Sequence, residues 1–187
     1  MRSILVVAAM SLVCVFGVSA QQRNIDTQKS TLTIRVGKTG AFSALGHEHE
    51  IHAPIHSGTA DTGAHPAVEI HVNARELRVM DKGASEKERA EVQKTMLEPE
   101  VLDSDSHQEI VFKSTAAELT GKGRWTLRGN LTLRGQTRPV TVQVTLQDGR
   151  YTGETTVKQT EFGITPPGKA GVRAKDEVKI EFDIRLG

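Results

Sequence analysis

Six of the chain's seven histidines fall between residues 47 and 71, at His47, His49, His52, His56, His65 and His71. Imidazole nitrogens are common metal ligands, and along an extended strand successive side chains alternate faces. His47 and His49 therefore project to one side, close enough to share an ion, while Glu48 and Glu50 project to the other. His52 and His56 have the opposite parity unless a bulge near Pro54 resets the phase. A metal site needs three or four converging ligands, and this spacing supplies two. His47 and His49 are the candidate ligands, of a metal carrier or a metal-dependent enzyme; the competing reading is a polar strand rim with hydrogen-bonding histidines.

Other groupings carry less chemistry. Asp103-Ser104-Asp105-Ser106-His107 contains carboxylate, hydroxyl and imidazole, but triad members converge in space, and Asp and Ser at this density suit a turn in which they bond nearby backbone. No catalytic residues are assigned. Arg128 and Arg134 share a strand face opposite Trp125 and Leu127, which reads as a solvated outer face rather than a nucleic-acid strip interleaved with aromatics. No strand, glycine loop and helix succeed one another as a dinucleotide site requires. With 24 basic against 23 acidic residues, no net field draws nucleic acid as partner. The single cysteine, Cys14, excludes an intramolecular disulfide, a four-cysteine zinc site and an iron–sulfur cluster.

Residues 1–20 stand apart from the rest. Arg2 precedes an apolar run from Ile4 to Val18, and Val18-Ser19-Ala20 offers small residues before Gln21. This is the pattern of a cleavable export signal. The expectation is an exported protein, periplasmic or secreted, with no stable membrane span after cleavage. Residues 21–187 are then one domain on size.

Within that domain, period-two alternation dominates. Leu32, Ile34 and Val36 alternate with polar residues, as do Val68, Ile70 and Val72. Trp125, Leu127, Gly129, Leu131 and Leu133 share a face, and Gly135-Gln136 begins a turn. Val140, Val142, Val144 and Leu146 follow, then Asp148-Gly149, a strong two-residue hairpin signal, and a return strand from Tyr151 to Lys158. Val178, Ile180, Phe182, Ile184 and Leu186 end the chain in the same way. Weaker strands are expected at Ala41–Leu45, at Glu50–Gly58 with Pro54 interrupting, and at Glu109–Thr115; residues 159–176 read as irregular. Ser85 and Glu88 have capping-box spacing ahead of one helix, 86–97, stopped by Pro99 and carrying a thin apolar stripe of Val92 and Met96. The fold class is all-β: about eight antiparallel strands with one helix inserted, buried as a sandwich or closed as a barrel. With only six aromatics after residue 20, the inward faces are mostly Val, Ile and Leu, and a closed barrel with such walls either leaves an apolar cavity or packs solid.

The order of several motifs narrows this choice. A Phe-containing strand ending in Gly46-His47 comes first, and Val101-Leu102-Asp103 leads into Glu109-Ile110-Val111-Phe112-Lys113-Ser114-Thr115. Gly129-Asn130-Leu131-Thr132-Leu133-Arg134-Gly135 runs on to Thr137-Arg138-Pro139-Val140, followed by Phe162-Gly163-Ile164 and a closing Asp176-Glu177-Val178 strand. Together these resemble the YceI-like family. The resemblance implies a lipocalin-like antiparallel barrel, usually periplasmic, whose apolar interior holds a polyisoprenoid or similar amphiphile, in proteins that bind or carry rather than catalyse. The segment Gly40–His56 departs from the family pattern in its histidine-rich sequence.

On this reading the partner is a long apolar lipid, no cofactor is required, and a bound isoprenoid is the expected guest. Parity places Phe112, Trp125, Leu127, Leu131, Val142, Val144, Phe182 and Ile184 on the cavity wall; Phe42, Leu45 and Phe162 are the residues expected near an opening. The rivals are the metal reading at His47 and His49, and a filled-core structural or partner-binding domain.

Overall fold

Branched apolar residues at every second position hold most of this chain in extended backbone. The computed structural model describes residues 22–41, 48–169 and 171–187. The expected export segment, Phe42, Leu45 and His47, and with them nearly all of the strand expected at Ala41–Leu45, lie outside the described residues. The elements are β1 (Gln22–Asn24), β2 (Thr31–Thr39), β3 (His49–His52), β4 (Ile55–Asp61), β5 (Ala67–Asn73), β6 (Arg78–Val79), α1 (Glu86–Leu97), β7 (Glu109–Gly121), β8 (Arg124–Leu133), β9 (Gln136–Gln147), β10 (Arg150–Lys158), β11 (Gly168–Lys169) and β12 (Val172–Arg185).

Every pairing is antiparallel, in the order β1-β4-β5-β7-β8-β9-β10-β12-β2-β3-β6, with β11 beside β12. β3 pairs with β2 and β4 with β5, and between them the chain bends at Ala53-Pro54, where proline has no N–H to give a ladder. β3 and β4 thus act as one bent stave, and with β2, β5, β7, β8, β9, β10 and β12 they make an eight-staved lipocalin-like barrel. A register shift of the kind that would reset the phase lies just past Pro54, between Ile55 and Ser57. A second seam ties β1 and the residues after it to the end of β12: Ile25 bridges Leu186, and the Gly187 amide donates to the Asn24 carbonyl at 2.8 Å.

The hairpins follow from turn chemistry. Asp148 and Gly149 both have positive φ, 51° and 73°, as a type I′ turn requires. The β8–β9 turn sits one residue earlier than expected, at Arg134-Gly135, with φ of 49° and 69°. Arg134 is held in that conformation by tertiary bonds: its guanidinium donates to the carbonyls of Pro99 and Gly163. Helix α1 has the expected limits and the expected box, with Glu88 N–H donating to Ser85 Oγ at 3.2 Å and Ser85 N–H to Glu88 Oε2 at 2.7 Å. Its one buried residue is Met96, and Val92 packs partly buried beside it.

The outer face carries a line of charge across four staves. Glu50 on β3 pairs with Arg35 on β2 at 2.6 Å, Arg35 with Glu181 on β12 at 2.8 Å, Glu181 with Lys179 at 3.1 Å, and Lys179 with Glu154 on β10 at 2.6 Å. Arg35, and after it Lys179, hold the Glu181 carboxyl below the usual carboxylate range. Arg150 does the same to Asp183, and Lys113, then His71, to Glu69. Carboxyls whose pKa is lower folded than unfolded add stability that is fully present above the unfolded value, about 4.3 for Glu and 3.9 for Asp, and lost as pH falls through the lower folded value. The melting temperature is expected to hold level through mildly acid buffer and fall steadily below about pH 4.5, with high salt reducing the acid-sensitive part because these pairs are exposed. A melting temperature that rises through that range would contradict the assignment.

Candidate ligand-binding cavity

The inward rows of the eight staves do not fill the barrel. They enclose a cavity of about 860 Å³, toward the upper end of the roughly 300–1,000 Å³ usual for small-molecule sites. The filled-core alternative does not describe this interior. Phe112, Trp125, Leu127, Leu131, Val142, Val144, Phe182 and Ile184 all line it, so these eight expected residues are brought together on one surface. The same strand parity adds Leu32, Ile34 and Val36 from β2 and Val68, Ile70 and Val72 from β5, and α1 contributes Val92 and Met96 one turn apart. The six strand residues were legible as apolar rows but not as wall residues, because alternation alone does not say which rows share a lumen.

Phe162 is a correction. It was expected near an opening, but it is not on the cavity surface and is 0% exposed. It sits in a 3-10 turn, Gln159–Phe162, and belongs to the buried cluster that includes Leu131, Val157, Ile164 and Val178. The turn is bolted to the irregular part of β12: Gln159 Nε2 donates to the Lys175 carbonyl at 2.7 Å, and Asp176 accepts from both the amide and the hydroxyl of Thr160. An aromatic in a stretch without periodicity gives no parity from which to place it.

Two glycines shape the wall. A Cβ on Gly129 would meet the Phe112 ring at 2.6 Å, and one on Gly153 would meet the Phe182 ring at 2.6 Å. Each ring therefore occupies the place of a missing side chain and lies along the sheet, leaving lumen in front of it.

The cavity runs from α1 toward the β9–β10 hairpin. Val140 and Leu146, both on its surface, are six residues apart on β9, roughly 20 Å along a strand. Trp125, Leu146 and Tyr151 stand at the hairpin end, where β8, β9 and β10 pair. Asp61 and Thr62 line the cavity at the β4–β5 turn, on the hairpin side, and most of its charged residues gather at the other end. There Lys38, His49, Asp81, Glu88, Glu91, Lys169 and Arg173 contribute to the cavity surface, and Lys169 on β11 reaches Glu91 on α1 at 3.0 Å. His49 Nδ1 lies 2.6 Å from Asp81 Oδ2, so this candidate metal ligand turns one nitrogen to a carboxylate. Among the described residues no three His, Cys, Asp or Glu side chains converge on a metal-sized site.

An antiparallel barrel with a roomy apolar lumen and a helix beside one end is a lipocalin-like architecture. The chain belongs to the YceI-like domain family, whose model matches residues 24–186. Among curated relatives, a UPF0312 protein of Shewanella oneidensis is 26% identical over 166 residues, 82% of each chain. A UPF0312 protein of Pseudomonas putida is 30% identical over 102 residues, covering 49% of this chain and 53% of that one. Among solved structures, Burkholderia cenocepacia BcnA superposes with a TM-score of 0.68 at 20% identity, covering 86% of this chain and 98% of that chain. The Campylobacter jejuni YCEI protein does so with a TM-score of 0.51 at 9% identity, covering 72% and 84%. Both likenesses are of fold.

Proposed function

We propose that this protein is an exported carrier that holds a long apolar lipid, an isoprenoid or similar amphiphile, inside its barrel. The observation that carries the reading is the lumen of about 860 Å³ walled by aliphatic and aromatic side chains. Burial is worth about 25 cal/mol per Å² of apolar surface, so enclosing roughly 300 Å² of chain is worth about 7 kcal/mol before the entropy cost of association. The protein then needs no covalent chemistry. Its work is to keep a water-insoluble chain dry while the charged outer face keeps the complex in solution. Export rests on the signal pattern of residues 1–20; among the described residues no helix is long and apolar enough to cross a membrane.

Protein purified without detergent from the envelope fraction of its own host is expected to begin at Gln21. Native mass spectrometry should show it with an added mass that organic extraction releases as an isoprenoid lipid. A chain that retains residues 1–20 in the cytoplasm would end the export reading. A protein that is clean of lipid and takes up no apolar probe would end the carrier reading.

A further inference from the structure

We propose that His49, oriented by Asp81, receives the polar end of the guest, and that this end is an uncharged hydroxyl. The inference rests on the carrier reading and adds to it the chemistry of the head and the direction in which the chain lies. Asp81 is 4% exposed, and its carboxylate accepts two hydrogen bonds, from the Glu50 amide at 2.7 Å and from His49 Nδ1 at 2.6 Å. A carboxylate has only acceptors to offer, so the proton of this contact belongs to Nδ1. That fixes the ring, and the tautomer with its single proton on Nδ1 offers Nε2 as a hydrogen-bond acceptor. His49 shares its strand face with Ile51 and Ala53, and all three line the cavity. The geometry sets the His49 ring at the edge of an apolar tube, where an acceptor can orient an amphiphile by its O–H.

Charge at this end selects against an anionic head. Lys38, Lys169 and Arg173 on the cavity surface are matched by Asp81, Glu88 and Glu91, and Lys169 is engaged with Glu91 at 3.0 Å. The N-terminus of α1, otherwise a place for phosphate, is closed by its own box: Glu88 Oε2 accepts from both the amide and the hydroxyl of Ser85. A diphosphate would find no excess of cations. With the hydroxyl at His49, the tail extends toward Trp125 and Tyr151.

Trp125 is the only tryptophan and lies on the cavity wall, so its emission reports binding. The test titrates wild type, His49→Leu and His49→Gln with geranylgeraniol, with the corresponding hydroxyl-free C20 tetraene and with geranylgeranyl diphosphate. His49→Leu is expected to weaken the alcohol about tenfold, as loss of a buried hydrogen bond does, and to leave the tetraene within about twofold. His49→Gln, which offers an amide oxygen, should recover part of the loss. For Asp81, a positioning residue, imidazole nitrogen NMR of the wild type should show His49 protonated at Nδ1, with its Nε2 resonance moving when the alcohol is added.

Equal weakening of alcohol and tetraene, no weakening of either, tighter binding of the diphosphate than of the alcohol, or a His49 ring protonated only at Nε2 would each overturn the proposal. Wild type that binds none of the three probes overturns the carrier reading itself, and this inference falls with it.

Discussion

Leu131→Trp is expected to melt within about 3 °C of the parent and to take up a long apolar probe at least tenfold more weakly. Leu131 stands on β8 opposite Phe112 of β7 and Arg138 of β9, is 8% exposed, and faces the cavity. Adding bulk to a close-packed interior ordinarily costs about 1–3 kcal/mol, because rotamers and backbone must give way. Here the larger ring has the lumen ahead of it. The same ring would narrow a tube whose use is to be long and unobstructed, and a guest that must fold back or stop short loses apolar burial along its whole displaced length. A tenfold loss needs only about 1.4 kcal/mol, some 55 Å² of contact at about 25 cal/mol per Å².

Asn130→Trp is the control. Asn130 is the exposed neighbour on the other face of β8, and the substitution should leave uptake unchanged. In a domain of this size about 1 kcal/mol moves the melting temperature by about 2–4 °C. A Leu131→Trp protein that loses more than about 6 °C while binding as well as its parent would mean that this part of the wall is packed core and the guest lies elsewhere.

How much of this was legible before the coordinates depends on whether a feature is written in period two. The rows Trp125 to Leu133, Val140 to Leu146 and Val178 to Ile184 are long enough for alternation to declare a face, and each face lines the lumen. Strands of two or three residues, β1, β6 and β11, contain no period to read. The first part of β12 lies in a stretch that reads as irregular, because the register shifts between Ala174 and Val178 and the phase is lost where it would have to be recognised. The Asp148-Gly149 turn is encoded locally. The Arg134-Gly135 turn is not, since a positive φ at arginine depends on carbonyls of Pro99 and Gly163 that only the fold brings near. The site divides in the same way. The wall follows from parity, whereas the His49–Asp81 contact joins residues 32 apart in sequence across β3 and the loop after β6, and a search for neighbouring histidines looks in the wrong place for it.

The fully buried aromatic that sequence could not place leads to the largest expected effect on stability. Phe162→Ala should lower the free energy of unfolding by about 3–5 kcal/mol, the cost of deleting a buried ring and leaving a cavity that its surroundings only partly close. Collapse is hindered here because the turn that carries the ring is fixed on several sides. Gln159 and Thr160 are bonded to Lys175 and Asp176 of β12, Gly163 closes the turn with φ of 72°, and its carbonyl accepts from Arg134 at the β8–β9 turn. The backbone therefore cannot move inward to fill the gap without breaking those bonds. Urea unfolding should show a lower midpoint with an unchanged slope, since the surface exposed on unfolding is nearly the same, and the melting temperature should fall by about 10 °C or more. Because Phe162 does not line the lumen, the variant, assayed well below its melting temperature, should bind an apolar probe as the parent does. The opposite pattern, near-parent stability with altered uptake, would mean that the ring works as part of an opening.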